Sequence, residues 1–550
     1  MATDHRAAPA ADRLALVAAY GGDIITLEPG RPRATALLAL GGRLIACGSD
    51  DEIRAVYAQV RTLRGVRSSE PIDLRGRAVL PGLIDSHLHL LWYGFSLQAV
   101  AARGAKSLAE LRSRVAARTA AVTPGEWITG AGWHQDGFNE RRMPSRGDLD
   151  AAAPLNPVAL HRVCHHAIVA NSRALELAGV TADTPDPPGG AIDRDPATGE
   201  PTGILREQAM ELVTRLIPEP SHEQSLAALR LACRQAAAAG LTSVHTNDGN
   251  GSALPVYLAL RDKGELTVRA YFDTTMDPSD DSALRLPAGI GDEWVRLGAV
   301  KMFADGSLGA HTALLREPYT DKLDTAGLAM YPQAVLDDMV LRAHSAGRQV
   351  AIHAIGDRAV DMSLAAVAAA LRLHPRPDHR HRLIHAQLLA RDLIERLRDL
   401  RMVVDIQPAF VSSELSWAPD RLGTARQEYA YCWRTLLDQG VRCAGGSDCP
   451  VEPLAPLRGL YAAVTRSDDD GQPPEGWLPD QRLDPLEAIR LFTVDAAYAA
   501  FEEDLKGTLE PGKLADFVVL SEAPDKVAPH EIKDITVEMT VVGGKVVHTA

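Results

Sequence analysis

Short apolar segments recur eight times between residues 79 and 448, and longer stretches of mixed polarity separate them. Each segment has the length and composition of a buried strand. The predicted strands are 79–89, 240–248, 266–275, 296–306, 348–357, 381–387, 401–410 and 441–448. Helices are predicted between them, for example at 221–239, 332–346 and 358–373. Eight strands that alternate with helices predict a (β/α)8 TIM barrel.

Two of these helices carry recognisable end signals. Ser221 and Gln224 have the spacing of a capping box at the start of the first helix. Gly347 follows the end of the second, where a left-handed residue is common. These signals support the predicted alternation of strands and helices.

One region breaks the alternation. Residues from about 100 to 220 include TPDPPGGAIDRDPATGEPTG, a segment rich in proline, glycine and aspartate. Such a composition is typical of turns and loops. We therefore predict an insertion after the first strand, at 123–220, within a barrel domain that covers 81–507.

Both ends of the chain contain short strands and tight turns. Examples are GDIITLEPG and ATALLALGGRLIACGSDDEI near the start, and ADFVVLSEAP and ITVEMTVVGGKVVH near the end. Each set alone is too small to bury its apolar face. Residues 1–80 and 508–550 are therefore predicted to form one composite β-sandwich domain.

Charge and cysteine usage exclude several classes of protein. A net charge of −14 argues against binding to nucleic acid or to an anionic membrane, and no apolar run is long enough to span a membrane. The six cysteines form no C-x-x-C pair, and no signal peptide is read at the N-terminus. A cytoplasmic protein that acts on a small-molecule substrate is expected, and a homodimer is left open.

His87 and His89 stand one residue apart at the end of the first predicted strand, in VLPGLIDSHLHLLWYG. Residues i and i+2 of a strand share a face, so both imidazoles would point into the barrel. Active sites in such barrels lie at the carboxyl ends of the strands. Two imidazoles at this separation can hold one metal ion. The alternative is a pair of buried histidines held by hydrogen bonds.

Four further predicted strands carry a ligand-type or ionisable residue: Lys301, His353, His385 and Asp448. A buried lysine or aspartate without a partner is costly, so these groups need partners. Converging strand ends would supply them. The alternative is a set of separate buried residues, each with its own hydrogen bonds, and a coincidence at five strands argues against it.

These residues and their surroundings resemble a known family. The stretches VKMFADGSLGAHTA, IHAIGDRAVD, GGSDCPVEPLAPLRGLYAAVTR and GTLEPGKLADFVVL are similar to those of the amidohydrolase superfamily. Within it, the chain resembles the YtcJ-like branch (amidohydrolase family 3), which includes N-substituted formamide deformylase. The resemblance covers nearly the whole chain. It implies a metal-dependent hydrolase on a distorted barrel, with a β-sandwich built from both termini.

The resemblance also implies a set of metal ligands: His87, His89, Lys301, His353, His385 and Asp448. The first two histidines would bind one divalent ion together with the aspartate, and the other two histidines would bind a second ion. The lysine, carboxylated by carbon dioxide, would bridge the two ions. Nitrogen and oxygen ligands suit zinc, with manganese, iron or nickel as alternatives. A single ion instead of two remains open.

Two of these ligands have alternative interpretations. Burial lowers the pKa of a lysine and so favours the neutral amine that carboxylation needs. An unmodified Lys301 could instead pair with Asp305, which is otherwise expected to shape the loop above it or to contact substrate. Asp448 could instead cap the helix that follows it.

The implied reaction is hydrolysis of a non-peptide amide bond in an N-formyl or N-acyl amine. Asp448 would take a proton from the metal-activated water and pass it to the departing nitrogen. His385 would polarise the carbonyl oxygen if only one metal is bound. Hydrolysis of a cyclic amide, a carbamate, an ester or a lactone at the same site is one alternative. A non-catalytic binding or regulatory protein is another.

Further residues are assigned by their local context. His166, in CHHAIVANSRALELAG, would reach the site from above as a catalytic or substrate-binding residue, with a surface or capping role as the alternative. Trp92 and Trp133 predict an apolar substrate wall, with core packing as the alternative. His165 and Asn171 belong to the same segment as His166.

Four residues are expected to have structural roles. His245 is interpreted as a structural residue or one that supports a ligand, and Cys449 as a small packing residue and not a nucleophile. His379 and His381, in RPDHRHR, are predicted to lie in a solvated turn before the sixth strand.

Overall fold

The structure is a computed structural model that describes residues 14–162, 166–249 and 251–550. The chain divides into two compact units. We call Leu91–Ala232 the insertion unit, and we call the remainder, Met1–Leu90 with Cys233–Ala550, the barrel unit.

The barrel unit contains an eight-stranded parallel sheet, whose strands we label β1 to β8 in chain order. They are Leu83–Leu88, Leu241–Asn247, Arg269–Thr275, Val295–Phe303, Val350–Ala354, Arg382–His385, Val403–Ile406 and Arg442–Gly445. Each overlaps one of the predicted strands, and their order in the sheet is their order along the chain. The sheet is a nearly closed barrel of the TIM type, which confirms the predicted barrel.

The barrel closes where β8 meets β1. Just beyond β8, the backbone N–H of Asp448 donates to the carbonyl of His87 (2.7 Å), and the N–H of His89 donates to the carbonyl of Cys449 (2.8 Å). Gly446 permits this approach, because a Cβ at this position would lie 2.6 Å from the backbone nitrogen of His87. The seam therefore brings the end of the last strand to the His-x-His pair.

The helices of the barrel unit follow its strands along the chain, except Asp50–Val60, which packs on a sheet from the N-terminal segment. They are Asp50–Val60, Leu254–Asp262, Gln333–Ser345, Asp357–Leu373, Arg391–Asp399, Ala409–Glu414, Ala418–Gln427, Trp433–Asp438, Pro456–Thr465, Pro485–Leu491 and Val494–Ala499. Gly347 follows Gln333–Ser345 with a φ of 74°, as its position predicted. Within the described part of the chain, no helix is both long and apolar enough to cross a membrane.

The insertion unit has its own six-stranded sheet. In sheet order its strands are Val100–Ala101, Ile128–Trp133, Val158–Arg162, Ala167–Ala170, Pro201–Glu207 and Gly190–Arg194. Its helices are Leu90–Gln98, which begins one residue before the unit, Leu108–Thr119, Arg146–Asp150, Ser172–Ala178 and Glu211–Thr214, together with the first part of His222–Ala238. The last of these starts with the predicted capping box, in which the Gln224 N–H donates to Ser221 Oγ (3.2 Å).

The insertion unit is longer at both ends than the predicted 123–220. The reason at its start is pairing. Val100–Ala101 joins the sheet beside Ile128–Trp133, and helix Leu108–Thr119 packs on both strands. These early elements are ordinary helix and strand, so the loop-like composition that marked the insertion did not extend to them.

Two further sheets are built from the ends of the chain. One contains Arg43–Gly48, Ala36–Leu40, Leu14–Tyr20, Val66–Ser68 and Ile72–Asp73. The other contains Lys545–Thr549, Val537–Val542, Phe517–Leu520, Ala78–Pro81, Asp23–Ile25 and Arg33–Ala34. One apolar cluster, which includes Leu37 from the first sheet and Val79 and Phe517 from the second, is shared by both sheets. Strands from both termini therefore bury a common core.

Candidate metal centre

The His-x-His pair and Asp448 meet at the seam of the barrel. Oδ1 of Asp448 lies 3.4 Å from Nε2 of His87 and 3.3 Å from Nε2 of His89. Nδ1 of His89 is hydrogen-bonded to the backbone carbonyl of Asn247 at the end of β2. This bond places the proton on Nδ1 and leaves the Nε2 lone pair directed at the shared space.

His353 and His385 come from the ends of the neighbouring strands β5 and β6. Their rings are 4.4 Å apart between centroids. Nδ1 of His385 lies 2.7 Å from Oε1 of Gln407, just after β7, and Nε2 of His353 lies 3.1 Å from the carbonyl of Gly306. Each imidazole is thus oriented through one ring nitrogen, as ligand histidines usually are.

Lys301 lies inside the barrel on β4, with its Nζ 3.0 Å from Nε2 of His87. Burial lowers the pKa of Lys301 to about 8, although the charge of Asp448 opposes the shift. The lysine therefore contacts His87, one of the candidate metal ligands, directly.

Asp305, the alternative partner considered for Lys301, contacts the candidate ligand His353 instead (Oδ1 to Nε2, 3.4 Å), together with backbone groups. Its carboxylate accepts the backbone N–H groups of Leu314 (2.8 Å), Ile355 (3.0 Å) and Gly356 (2.9 Å). Burial raises the pKa of Asp305 to about 7. These contacts tie together the loops after β4 and β5, which agrees with the expected loop-shaping role.

The donor set fits a divalent metal. One ligand atom each from His87, His385 and Asp448 lies within 4.8 Å of the others, and all three residues are buried. Burial lowers the pKa of His353 to about 4 and those of His87 and His385 well below the usual value, so the imidazoles are neutral, as metal ligation requires. Nδ1 of His87 is buried and has no hydrogen-bond partner among the described residues. Nitrogen and oxygen donors of this kind suit zinc and its first-row neighbours.

Two ligand-type residues adopt unusual backbone conformations. His385 has a φ of 77° and Asp448 a φ of 58°. Residues with a Cβ rarely occupy this region, and such outliers concentrate at functional sites. At both positions the backbone turns directly after a strand, which directs the side chain into the centre.

Several supporting residues were missed by the sequence analysis. Asp85 is fully buried, accepts the N–H groups of His87 and Ser447 (3.1 Å each), and so joins the two sides of the seam. Burial raises its pKa to about 7. The only signal was its place two residues before His87, on the same strand face. Gln407, the partner of His385, had no distinguishing pattern.

A buried ion-pair network lies inside the barrel. Arg382 donates to Asp405 (2.6 Å) and to the carbonyl of Ser86, and lies 3.5 Å from Asp273. All three charged side chains are fully buried. The charges of Asp273 and Asp405 also act on the pKa of Lys301. This network is therefore electrostatically coupled to the candidate centre.

Three of the predicted substrate residues, Trp92, Trp133 and His166, lie in the insertion unit, and the fourth, Asp305, lies in the barrel unit. Trp133 is completely buried in a core of that unit and donates from Nε1 to the carbonyl of Leu160 (2.8 Å), which favours core packing over a substrate wall. Trp92 is 54% exposed, and His166 is exposed and paired with Glu207 (3.1 Å). Contact of Trp92 and His166 with substrate stays a prediction. Asn171 caps the helix Ser172–Ala178, and His165 lies outside the described residues.

The predicted solvated turn at His379 and His381 is wrong. Both residues are buried, with His344, in what we call the closed histidine cluster. Nδ1 of His344 is hydrogen-bonded to Nε2 of His381 (2.9 Å), whose Nδ1 accepts the Val350 N–H (3.0 Å). Contacts from distant segments bury these residues, and their charged neighbours in the sequence gave no sign of this.

The other structural expectations agree with burial. His245 is fully buried, with its ring 5.2 Å from that of Tyr271. Cys449 is buried, and this burial raises the pKa of its thiol. A raised pKa opposes thiolate formation, in agreement with a packing role.

A parallel barrel that gathers imidazole, lysine and carboxylate groups at the carboxyl ends of its strands has the architecture of a metal-dependent barrel hydrolase. The sequence profile of the Amidohydrolase family matches residues 70–548. The chain therefore belongs to the amidohydrolase family, as its motifs indicated.

Known proteins resemble the chain over nearly its whole length. The Bacillus subtilis (strain 168) protein YtcJ, which carries the amidohydrolase name, is 35% identical over 96% of this chain and 98% of its own. N-substituted formamide deformylase of Arthrobacter pascens is 29% identical over 95% of this chain and 96% of its own. An uncharacterized metal-dependent hydrolase from Pyrococcus horikoshii OT3, of known crystal structure, has a TM-score of 0.77 and 30% identity, with 94% and 99% of the two chains covered.

Proposed function

We propose that the protein hydrolyses a non-peptide amide bond and that its substrate is an N-formyl or N-acyl amine. The observation that carries the proposal is the convergence of donor atoms from His87, His385 and Asp448 at the carboxyl ends of the barrel strands. Similarity to a protein named N-substituted formamide deformylase supports the choice of an amide. A divalent metal, with zinc as the first choice, is part of the proposal.

When bound, the metal would supply a nucleophilic water at neutral pH and a Lewis acid for the carbonyl oxygen. Asp448 is placed to move the protons, because its Oδ1 faces the Nε2 atoms of both His87 and His89. In the proposed reaction it accepts a proton from the attacking water and returns it to the departing nitrogen. An amine cannot leave without that proton, so one carboxylate serves both halves of the reaction.

His385 is better suited to bind metal than to donate a proton. Nε2 of Gln407 donates to the carbonyl of Asp405 (3.4 Å), so Oε1 of the same amide faces Nδ1 of His385. The proton therefore sits on Nδ1, and Nε2 keeps its lone pair. Donation from Nε2 to a carbonyl oxygen would need a second proton, which burial of the ring opposes.

Aromatic rings line the centre and indicate the character of the substrate. Phe410 stacks on the His385 ring, with 5.9 Å between centroids and 12° between planes. Phe303 lies against His353 (5.4 Å), with Nζ of Lys301 5.1 Å from its centroid. Such walls favour a substrate with an apolar group beside the amide.

Carboxylation of Lys301 is part of the same proposal. Its burial, its contact with His87 and its lowered pKa together favour reaction of a neutral amine with carbon dioxide. The resulting carbamate would place a negative charge among the ligands, where bound cations would stabilise it.

The test is a turnover screen of metal-loaded protein against N-formyl amines, N-acyl amines, hydantoins, carbamates and lactones. The proposal expects the fastest hydrolysis with an N-formyl or N-acyl amine that carries an apolar substituent. Faster hydrolysis of a hydantoin, carbamate or lactone would contradict the substrate assignment while keeping the hydrolase. Absence of turnover on the whole panel by protein that contains metal would contradict the proposal.

A further inference from the structure

A cavity lies at the end of the barrel opposite the metal centre. Its volume is about 280 Å³, and Tyr271, Arg296, Gln349, Arg376, His379 and Phe501 are among its lining residues. Gln349 comes directly before β5, whereas His353 is four residues further along the strand. At about 3.3 Å per residue, the cavity and the metal centre are separated by about 13 Å along β5.

Arg376 lines this cavity, and neighbouring groups balance little of its positive charge. Its Nη2 donates to the carbonyl of Arg348 (2.8 Å), and its Nε is buried without a hydrogen-bond partner. It forms no ion pair with any residue that the structure describes. Burial lowers the pKa of Arg376, although the charge of Asp378 opposes the shift.

Arg296 provides a second guanidinium in the same lining. It donates to the carbonyl of Phe501 (3.4 Å), and its contact with Glu502 is long (3.8 Å) because Glu502 is itself paired with Lys506. Its side chain is 27% exposed and belongs to the cavity lining.

A third arginine adds positive charge next to the cavity. Arg348 is fully buried beside Gln349, donates to backbone carbonyls such as that of Gly298 (2.9 Å), and also has an unpartnered Nε. The carboxylate in the cavity lining belongs to Asp378, which is paired with Arg380 (2.8 Å). The cavity is therefore cationic within a chain whose net charge is −14.

We propose that this cavity binds a small oxyanion, a phosphate or carboxylate group, between the guanidinium groups of Arg376 and Arg296. A guanidinium offers a planar fork of N–H donors that matches two oxygens of such an anion. The anion would give the orphaned Nε of Arg376 an acceptor and would neutralise a buried charge that is otherwise uncompensated. The site is distinct from the metal centre and does not depend on the reaction catalysed there.

The experiment is calorimetric titration of the metal-loaded protein with inorganic phosphate, and separately with malonate, at constant ionic strength set with chloride. We expect saturable binding at one site per chain. Arg376→Gln and Arg296→Gln should each weaken it about tenfold or more, because each removes a charge-assisted hydrogen bond. Arg391→Gln is the matched control. It removes the same charge from an exposed arginine on Arg391–Asp399 and should leave the affinity unchanged.

Two results would overturn the proposal. One is the absence of saturable binding of both anions. The other is equal affinity of the wild type and Arg376→Gln, which would place the anion elsewhere, the metal centre included. If Arg376→Gln does not fold, as judged by circular dichroism, Arg376→Lys and Arg296→Gln decide in its place. Arg376→Lys keeps the charge but loses the fork, so it should still weaken binding. Because binding is the readout, failure here leaves the proposed function untouched.

Discussion

The sequence contains two His-x-His patterns, and the structure uses them in opposite ways. His87 and His89 end β1 and direct ring nitrogens into a space shared with Asp448. His379 and His381 precede β6, at the other end of the barrel, and form the closed histidine cluster with His344. The two pairs share residue type and spacing, and three of their four histidines are buried. They differ in whether their nitrogens are already satisfied by the protein.

In the closed cluster the hydrogen bonds fix every proton. Nε2 of His344 donates to the carbonyl of His374 (2.7 Å), so its Nδ1 accepts from Nε2 of His381. Nε2 of His379 donates to the carbonyl of Leu400 (2.8 Å), and its Nδ1 accepts the His381 N–H (2.9 Å). No lone pair is left for a metal. Spacing alone therefore cannot identify a ligand pair, whereas unused lone pairs can.

The largest expected effect is loss of activity on metal removal. Prolonged chelation should abolish hydrolysis, and zinc or manganese should restore it, because the proposed reaction depends on water activated by the metal. Far-ultraviolet circular dichroism should stay native, because the closed histidine cluster contains none of the proposed metal ligands. If protein that elemental analysis shows to be metal-free keeps full activity, the proposed difference between the metal centre and the closed histidine cluster is wrong.

Asp448→Asn should slow turnover by roughly 10²–10⁴-fold, the usual contribution of general acid–base catalysis. The amide oxygen can still contact a metal, and the histidines remain, so much of the metal should be retained. Steady-state kinetics with metal analysis separates the two roles. Asp305→Asn is the comparison variant, since Asp305 accepts backbone N–H groups. Near wild-type turnover in Asp448→Asn with loss of turnover in Asp305→Asn would exclude Asp448 as the shuttle.

In contrast to changes at the metal centre, His381→Asn should leave the metal content unchanged and should lower the free energy of unfolding. The substitution removes the partners of His344 Nδ1 and of the Val350 N–H, and each buried group left unpaired costs about 1–3 kcal/mol. Urea unfolding followed by circular dichroism measures the loss. Lost metal with unchanged stability would show that the closed cluster is not purely structural.

The smallest expected effect is a pH dependence of stability from the closed cluster. Burial lowers the pKa values of His344, His379 and His381 below the usual 6.5. The folded protein therefore disfavours protonation of these histidines. Their contribution to the free energy of unfolding is fully present above about pH 6.5. It falls as the pH drops below that value, by up to about 1.4 kcal/mol per pH unit for each group. Unfolding free energies between pH 7.5 and 5.5 check this. A slope that is the same in His381→Asn would assign the dependence to other groups.

Much of the barrel was predictable because its signals are local. Parallel strands buried on both faces are continuous apolar runs, and all eight were found in this way. The ligand-type residues were predictable for the same reason, because each is a polar exception within or just after an apolar run. The extent of the insertion unit was less predictable, since its first elements are ordinary helix and strand.

The rest depends on contacts that are distant in sequence. Arg380, between His379 and His381, lies over the rings of Tyr498 and Phe501 (3.8 and 4.4 Å) and pairs with Glu503. Those partners follow more than 100 residues later, so the charged segment appeared to be a solvated turn. The roles of Asp85 and Gln407 likewise appear only when the barrel closes and the strand ends converge.

The most direct test is metal analysis of three purified proteins: the wild type, His87→Asn with His89→Asn, and His379→Asn with His381→Asn. The account predicts at least one equivalent of a first-row divalent metal in the wild type and in the second double variant. It predicts almost none in the first double variant. Metal retained after loss of His87 and His89, or its absence from wild-type protein purified without chelators, would contradict the assignment of the metal centre.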